Sequence, residues 1–567
     1  MKKLATLLSI CGIVFSTTSY SQLAVDSIEI NTLKARVYSD GGIEEMQTFD
    51  DTIYKPLLYA DGLWLAGYET TNNVLHQSSQ TYRQAGLDFV PGPVSNDPSP
   101  TTRWNKVYRV NLQTLTDFKN GNTQGIPQEI INWPAHGDTN MGEAYYLAPF
   151  VDVNSDGHYV PSDGDYPKIK GDEAIYTIFN DGNGRTNPVG IGLGVEVHAM
   201  IYGYSTGGIE DSILFREYKI INRSNKDYTN TYLSVWADFD LGNSLDDLAG
   251  TEISANSIYT YNSDSVDEGP LGFGHNLVTC GLRMLQGPPA PLLDGIDNDK
   301  DGCVDGVKDA NGNCITESLN GVREQILLSG SMYYNNANFF NNGDIQGNPN
   351  TSMHHYNFMR SKWKNGSNLV LENPSGFGSA LNGDGFMPIN MWPAFMYFYP
   401  GGSFDTTGAY EPSAPTDWFE SPQNQHDKRT LANAGPFTFS EGQEFTVATA
   451  YIWSRDSNQL ASFNGIIKRL QGLNNNYSNQ PTRTVGINAY KTNSHYQLSF
   501  DANSAEWAIT NDEDRNLSFA LYTTTGQLMT SFNVDAGSKL SIPTEGFAKG
   551  VYLLVETKSG ETHKITK

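Results

Sequence analysis

The protein is a chain of 567 residues in which 63 Asp and Glu outnumber 37 Lys and Arg, giving a formal net charge of −26. A surface this acidic repels the phosphates of nucleic acid and of anionic lipid, and it attracts cations, calcium above all. The 31 Tyr and 55 Gly are typical of an extracellular β protein rich in turns, and they argue against a disordered chain. We therefore expect several folded domains and no nucleic-acid partner.

The first residues read MKKLATLLSICGIVFSTTSYSQ and have the features of a secretory signal peptide. Two lysines precede the apolar run 4–15, and Ser19 and Ser21 are small residues placed for cleavage before Gln22. We expect residues 1–21 to be removed and the remainder to be secreted. No later apolar run is long enough to predict a transmembrane segment.

Alternation of apolar and polar side chains predicts antiparallel strands in two regions, 22–285 and 321–490. The clearest examples are GVEVHAMIYGY (194–204), TYLSVWADFDL (231–241) and EFTVATAYIWS (444–454), in which alternate residues form a largely apolar face. Asn, Gly and Asp turns separate such segments. We expect half-buried strands in an all-β fold of the β-sandwich or jelly-roll class.

One helix is predicted, in SNQLASFNGIIKRLQGL (457–473). Its apolar residues Leu460, Phe463, Ile467 and Leu470 recur at helical spacing. The polar stretch that follows predicts a linker, so the second β-rich region is expected to end with this helix.

Residues 152–163 read DVNSDGHYVPSD, in which oxygen-bearing side chains alternate before a glycine. Calcium prefers six to eight oxygen ligands, and a twelve-residue loop supplies them from alternate positions. The pattern resembles the EF-like loops of dockerin-type repeats, and the alternative is an Asx-rich turn whose side chains bond their own backbone. The predicted ligands are Asp152, Asn154, Asp156, the backbone carbonyl of His158, and Asp163.

A second acidic stretch, DGIDNDKDGCVDG (294–306), lies in a predicted insertion at 286–320. It resembles the calcium repeats of thrombospondin type 3, although Lys308 stands where a twelfth-position carboxylate is expected. Without an ion these carboxylates repel one another, and the alternative is a solvated acidic linker. Asp305 or Asp309 must then supply the twelfth-position carboxylate, and the predicted metal residues are Asp297, Asp299, Asp301, Cys303 and Asp305.

Three cysteines remain once the signal peptide, with Cys11, is removed. Cys303 and Cys314 flank a short Gly/Asp/Asn loop and form one possible disulfide; Cys280 with Cys303 forms the other. An odd number of cysteines leaves one thiol over, so bound cations are expected to provide stability that few disulfides can.

A third acidic stretch, DFDLGNSLDD (238–247), places Asp238 and Asp240 on one face of a predicted strand, with Asp246 and Asp247 after a turn. Two carboxylates can act as the acid and base of a glycosidase. They can also bind a third cation, or simply end a strand in solvent. The sequence leaves these alternatives open and therefore does not decide whether the protein is an enzyme.

Residues 491–567 contain short predicted strands that make a small Ig-like β-sandwich. From Phe519 the segment reads FALYTTTGQLM and later SIPTEGFAKGVYLLVETKSGETHKITK. A strand ending in a turn at Gly526, then Gly-Val-Tyr at 550–552 and a basic end, resemble the C-terminal sorting domain of the bacterial type IX secretion system. The resemblance implies export by the type IX machinery and attachment to surface lipopolysaccharide.

The run WPAHGDTNMGEAYYLAPFVDVNSDGHYVPSDGDYPKIKGDEAIYTIFND (133–181) resembles a recurring block of large exported proteins that carry this sorting domain. That resemblance supports secretion and a cation loop, and it implies no catalytic activity. We therefore expect a protein of the outer cell surface, stabilised by calcium, that binds a glycan or protein ligand or mediates adhesion. The alternatives are a secreted hydrolase acting on polysaccharide or protein, and a subunit of a surface filament.

Overall fold

The computed structural model describes most of the first β-rich region, of the acidic insertion and of the C-terminal region, and half of the second β-rich region. The described residues are 23–50, 53–97, 100–182, 184–187, 189–206, 208–263, 265–309, 312–318, 321–335, 347–366, 403–404, 410–411, 418–419, 427–455, 459–473, 496–501, 506–511, 515–523, 527–542, 551–558 and 562–566. The predicted signal peptide lies outside them. The chain divides into two compact units, one of residues 1–115 and 125–483 and the other of residues 116–124 and 484–567.

Strands dominate the first unit, and short helices connect or cover them. Its described strands are β1 (Val25–Ile30), β2 (Leu33–Tyr38), β3 (Ile43–Asp50), β4 (Ile53–Glu69), β5 (Leu75–Ser79), β6 (Val90–Pro91), β7 (Tyr108–Asn111), β8 (Phe150–Val151), β9 (Tyr166–Pro167), β10 (Glu173–Asn180), β11 (Val195–Gly203), β12 (Ile213–Asn222), β13 (Tyr228–Asp238), β14 (Asp247–Glu252), β15 (Ser257–Asn262), β16 (Val278–Gln286), β17 (Gly306–Lys308), β18 (Cys314–Thr316), β19 (Gly330–Asn335), β20 (Ser403–Phe404), β21 (Tyr410–Glu411), β22 (Trp418–Phe419), β23 (Lys428–Phe439) and β24 (Glu444–Arg455). The α-helices of the described chain are α1 (Pro100–Trp104), α2 (Leu112–Lys119), α3 (Gln128–Ile131), α4 (Ser352–Met359) and α5 (Gln459–Gly472).

Two antiparallel sheets organise these strands. The β13 sheet has the order β1-β2-β3-β4-β13-β23-β19, with β5 also paired to β4. The β12 sheet has the order β22-β14-β15-β16-β24-β12-β11-β10-β6, with β7 also paired to β10. Small hairpins pair β8 with β9, β17 with β18, and β20 with β21.

The inner faces of the two sheets share one hydrophobic core. Val195 and Val197 of β11 and Val447 of β24 belong to the same buried cluster as Leu233 and Val235 of β13. Burying each such side chain contributes about 1.5–3 kcal/mol. The all-β class and the sandwich arrangement predicted for the main region are thereby confirmed.

The outer face of the β13 sheet is buried too, so the expectation of half-buried strands is wrong there. Trp64 of β4 and Trp236 of β13 lie in a second cluster with Phe358 of α4 and with Trp363. A helix from a distant part of the chain covers this face. Local alternation identifies the strands, but it cannot show that a remote segment buries their polar side.

The predicted helix is observed as α5, which packs against β24 and β16. Ile466 and Leu470 are fully buried, four residues apart, whereas Ile467 is partly exposed. The side chains of Leu460 and Phe463 lie outside the described part of the structure.

The second unit contains its own pair of antiparallel sheets. Its described strands are β25 (Tyr496–Asp501), β26 (Glu506–Asn511), β27 (Leu517–Thr523), β28 (Leu528–Val534), β29 (Lys539–Ser541), β30 (Val551–Glu556) and β31 (Thr562–Thr566). They form the sheets β25-β26-β29 and β28-β27-β30-β31. Ile509, Phe519, Leu521 and Leu554 belong to a separate buried cluster. Across the described residues of the whole chain, no helix is long and apolar enough to span a bilayer.

Candidate cation site

Two acidic loops of the first unit carry the residues predicted to bind calcium. The first acidic loop (152–165) joins β8 to β9, which pair with each other. The second acidic loop (294–308) lies between β16 and β19 and ends in β17, which pairs with β18. The first loop is therefore the connection of a hairpin, and the second loop leads into one.

Backbone N–H groups point at the acidic side chains of the first acidic loop. Asp152 accepts hydrogen bonds from the N–H groups of Asp156 (3.3 Å) and Gly157 (2.7 Å). Asn154 Oδ1 accepts from the same N–H of Asp156 (3.1 Å), and Asp156 accepts from His158 N–H (2.8 Å). These side-chain acceptors fold the loop back on itself.

The second acidic loop has the same four bonds at the same relative positions. Asp297 accepts from the N–H groups of Asp301 (3.1 Å) and Gly302 (2.9 Å). Asp299 accepts from Asp301 N–H (3.1 Å), and Asp301 accepts from Cys303 N–H (2.8 Å). The shared pattern of alternating Asp or Asn before glycine therefore fixes one loop shape in two places.

The second acidic loop brings its carboxylates together. Asp297, Asp299 and Asp301 each offer an oxygen, and these atoms lie within 4.8 Å of one another. Calcium–oxygen distances of about 2.3–2.6 Å allow two ligands of one ion to lie at most about 4.6–5.2 Å apart. The three predicted ligands are therefore spaced to share one ion, and all three are half-buried.

The first acidic loop is arranged differently around its predicted ligands. Asp163 ends a short 3₁₀ turn, Pro161–Asp163, and is exposed. The buried acid is Asp165, two residues further on, which accepts hydrogen bonds from the N–H groups of Val153 (2.8 Å) and Val160 (2.9 Å). Both oxygens of Asp165 are thus used to hold the backbone. The exposed predicted residues of this loop are Asn154, Asp156, His158 and Asp163.

A buried glutamate that the sequence did not indicate lies against the second acidic loop. Glu324 is fully buried, and its Oε1 accepts hydrogen bonds from the N–H groups of Asn298 and Asp299. Its Oε2 is buried and has no hydrogen-bond partner among the described residues. An unpaired buried carboxylate oxygen is costly, and a bound cation removes that cost. Glu324 stands alone in the sequence, so no local spacing could have identified it.

Lys300 anchors the second acidic loop to the sandwich. Its Nζ donates hydrogen bonds to Asn256 Oδ1 (2.9 Å) and to the carbonyl oxygen of Leu328 (2.7 Å). The lysine that departs from the calcium-repeat pattern is thus hydrogen-bonded to the protein body, and burial lowers its pKa to about 8 although the charges of Asp297, Asp299 and Glu324 act to raise it.

A disulfide closes the same loop. Cys303 is bonded to Cys314, with 5.5 Å between their Cα atoms, and Cys280 is a free thiol in the sandwich core. The alternative Cys280–Cys303 pairing is therefore wrong. Since the sulfur of Cys303 is in the disulfide, this residue can offer a cation only its backbone carbonyl. Asp305 Oδ1 accepts the Gly295 N–H (2.8 Å) and so joins the two ends of the loop.

The resolved pKa shifts of the carboxyl groups run upward at the second acidic loop and downward at the first. Burial, with the charge of Asp301 second, raises the pKa of Asp299 to about 7. Burial, together with the charge of Asp299, raises the pKa of Glu324 to about 8. In the first acidic loop, the backbone hydrogen bond from His158 lowers the pKa of Asp156. Burial and neighbouring acids thus disfavour the charged forms of Asp299 and Glu324, and a bound cation would favour them.

The third acidic stretch is buried, so its interpretation as a solvated strand end is wrong. Asp238, at the end of β13, is 2% exposed, and Tyr82 donates a hydrogen bond to its Oδ2. Asp246 is 6% exposed and accepts a hydrogen bond from Asn262 (2.8 Å). Asp247 is 1% exposed and accepts the N–H of Leu241 (3.0 Å). The cause is tertiary packing, because strands and side chains distant in sequence cover this end of the sheet.

Asp238 and Asp240 do lie together, as their spacing predicted. Their carboxylate oxygens also lie within 4.8 Å of one from Asp427, just before β23. Burial and the charge of Asp427 raise the pKa of Asp240 to about 7. Asp238 contacts Tyr82 and Arg429, where a glycosidase acid or base would contact a substrate.

A cleft of about 470 Å³ opens elsewhere on the first unit, within the usual size range of ligand sites. Its lining includes Trp104, Tyr108 and His136, together with the cationic Arg103 and Lys106. Arg103 pairs with Glu143, which also accepts a hydrogen bond from the indole N–H of Trp104 (3.0 Å). Lys106 is exposed.

No family model and no curated protein matches this chain. Among solved structures, a polysaccharide lyase matches at 7% sequence identity with a TM-score of 0.25, over 95% of this chain and 46% of the lyase. This chain thus spans less than half of the lyase's length. At such a TM-score the likeness carries no argument about function.

Proposed function

We propose that the protein is a secreted, cell-surface β protein that the second acidic loop stabilises by binding calcium, and that its role is binding or adhesion. One observation carries the calcium part of this proposal. Asp297, Asp299 and Asp301 present oxygens within 4.8 Å of one another, and the buried Glu324 accepts hydrogen bonds from the N–H groups of Asn298 and Asp299 in the same loop. These donors are hard carboxylate oxygens, with no free thiol and no histidine among them, and such a set suits calcium rather than zinc.

Calcium here would act on the stability of the first unit. Lys300 and the Cys303–Cys314 disulfide already hold the loop, so little ordering opposes ion binding. An ion that binds only the folded state at a hundred times its dissociation constant adds about 2.7 kcal/mol. The expected consequence is a fold that depends on the calcium of the extracellular medium.

Thermal unfolding with calcium and with EDTA tests this part. We expect EDTA to lower the melting temperature of the wild-type protein by several degrees and to lower that of Asp301→Asn clearly less, because the variant has lost the ion of the second acidic loop. Asp156→Asn, the equivalent change in the first acidic loop, is the matched control and should still respond to EDTA as the wild type does. An equal response to EDTA in wild type and Asp301→Asn would overturn the calcium proposal.

The cleft beside Trp104 and Tyr108 supports the binding part of the proposal. Of its lining residues, the half-buried ring of Tyr108 can stack on a sugar ring, and the exposed Lys106 can pair with an acidic group of a ligand. A screen of acidic and neutral glycans should therefore find a ligand whose affinity falls in Lys106→Ala and Tyr108→Ala. Retained binding in both variants would remove the cleft from the proposal, and cleavage of a bound glycan would favour the hydrolase.

Export rests on the C-terminal resemblance and on the signal peptide pattern. The separate sheets and core of the second unit are consistent with a discrete sorting domain. Deleting 492–567 is expected to leave the protein in the periplasm. Normal export of the truncated chain would contradict this part of the proposal without touching the calcium part.

A further inference from the structure

An acidic cluster at the end of β13, separate from both acidic loops, consists of the buried Asp238 and the half-buried Asp240 and Asp427, which present oxygens within 4.8 Å of one another. The buried Asp247 lies within reach of the charge of Asp240. We propose that this cluster is a second binding site for a hard divalent cation of the calcium class, and that the ion joins the end of β13 to the start of β23. The inference does not rest on the second acidic loop and can fail or hold without it.

Unpartnered oxygens in and beside the cluster point to a missing positive charge. Asp238 is 2% exposed, and its Oδ1 makes no hydrogen bond, although Arg429 Nε lies 3.5 Å away as an ion pair. Asp247 is 1% exposed, and its Oδ1 also has no hydrogen-bond partner among the described residues. Buried carboxylate oxygens left in this state are costly unless a proton or a cation reaches them.

The charges around the cluster do not balance. Arg429 is the basic group that acts on Asp238 and Asp240, and its Nη1 is already bonded to Asp427 (2.6 Å). Its Nε donates a hydrogen bond to Tyr82 (2.6 Å), whose hydroxyl donates to Asp238. Among the described residues, one guanidinium thus serves the three carboxylates of Asp238, Asp240 and Asp427. Like charges at such distances in a buried site repel strongly, and a divalent ion would neutralise two of them.

The donor set indicates the class of ion. The cluster offers carboxylate oxygens, and neither histidine nor cysteine is among its members. Calcium, and less readily magnesium or manganese, bind all-oxygen sites, whereas zinc and copper favour nitrogen and sulfur. Oxygens within 4.8 Å of one another are compatible with the ligand separations that calcium allows.

Position in the fold explains what this ion would do. β13 and β23 are adjacent strands of the β13 sheet, with Ala237 opposite Thr430 next to the cluster. Asp238 and Asp240 come from one strand end, and Asp427 comes from a residue almost two hundred positions later. An ion held by all three would tie these two strands together where the chain enters β23.

Metal counting on purified protein tests the inference. The probe is calcium chloride, with ions per chain measured by mass spectrometry after gel filtration, and circular dichroism checks folding. In the double variant Asp156→Asn/Asp301→Asn, which disables both acidic loops, we expect one calcium ion per chain to remain. Adding Asp427→Asn should remove that ion, whereas adding the exposed control Glu441→Gln should keep it.

Each outcome decides the inference separately from the proposed function. A double variant that retains no ion overturns the buried site even if the triple variants fail to fold. An ion that persists with Asp427→Asn also overturns it. The proposal for the second acidic loop is tested by a different comparison: the number of calcium ions per chain should fall by one from wild type to Asp301→Asn.

Discussion

The two acidic loops start from nearly the same sequence and reach the same local shape, but the second brings three carboxylates within 4.8 Å of one another, whereas the first has Asn154 at one of the three positions. Each has four equivalent hydrogen bonds from backbone N–H groups to three alternating Asp or Asn side chains, which are residues 152, 154 and 156 in the first loop and 297, 299 and 301 in the second. The middle one of the three is Asn154 in the first loop and Asp299 in the second. The second loop adds a disulfide, a lysine anchor and the buried Glu324.

This difference shows which property each level of structure controls. The spacing of short polar side chains before glycine determines the turn, because all four bonds are made within seven residues. Burial and the acid that contacts the second loop from outside, Glu324, come from tertiary packing and not from this local spacing. In the first acidic loop the corresponding buried acid, Asp165, is already satisfied by two N–H groups.

Removing the disulfide is the largest expected change to the second acidic loop. Closing a loop of this size contributes about 3 kcal/mol, and the loss in Cys303→Ser/Cys314→Ser should appear as weaker calcium binding and as cleavage within 294–318 by a protease. Calorimetric titration and limited proteolysis measure both. The first acidic loop has no disulfide, so its protease resistance should stay constant. Unchanged calcium affinity in the double variant would contradict the idea that the loop is held ready for the ion.

Replacing Asp165 and Glu324, the buried acids at the first and second acidic loops, with amides should distinguish a structural role from a role in calcium binding. Asp165→Asn replaces an acceptor with an amide donor that faces an N–H group, so it should lower the free energy of unfolding by about 1–3 kcal/mol with or without calcium. Glu324→Gln should weaken calcium binding but cost little in EDTA, because the unpaired Oε2 is the atom that an ion would satisfy. Urea unfolding with and without calcium tests both variants. A calcium-independent loss in Glu324→Gln would show that this glutamate has a purely structural role.

Equivalent single changes in the two loops should differ in affinity. Asp301→Asn should reduce calcium affinity at least about tenfold, or about 1.4 kcal/mol, whereas Asp156→Asn should change it little. Titration of EDTA-treated protein compares the two directly. Equal losses would mean that the loops share the ion-binding role and that context matters less than motif.

The stability of the calcium-free protein should depend on pH with opposite sign for the two loops, and this effect should be smaller than those of the substitutions above. Burial raises the folded-state pKa of Asp299 to about 7 and of Glu324 to about 8. Their contribution to stability is therefore complete below the unfolded-state pKa near 4 and is lost as pH rises through the folded values. The lowered pKa of Asp156 acts the other way, since its contribution is lost as pH falls. Unfolding midpoints in EDTA at about pH 5 and pH 8 should fall with pH less steeply in Glu324→Gln than in wild type, and identical slopes would refute this assignment.

Much of the fold could be predicted from local sequence. Alternation in 194–204, 231–241 and 444–454 corresponds to β11, β13 and β24, because neighbouring side chains of a strand point to opposite faces. The α5 helix and the Cys303–Cys314 pair were also among the predictions. These features depend on contacts close in sequence.

Features built from distant residues could not be predicted in the same way. Phe358 and Trp363 bury the outer face of β13, and Glu324 lies against the second acidic loop, but neither leaves a periodic signal. The same holds for Asp427, whose carboxylate reaches Asp238 and Asp240 only after β23 pairs with β13. Spacing identified Asp297, Asp299 and Asp301 correctly as neighbours, because a single short loop brings them together.

Anomalous diffraction from crystals grown with about 10 mM calcium, well above the millimolar dissociation constants of extracellular modules, tests the central claim most directly. The account predicts a single anomalous peak among Asp297, Asp299 and Asp301, with carboxylate oxygens at about 2.3–2.6 Å. Three carboxylates bonded only to water and backbone, with no peak between them at that calcium concentration, would contradict it.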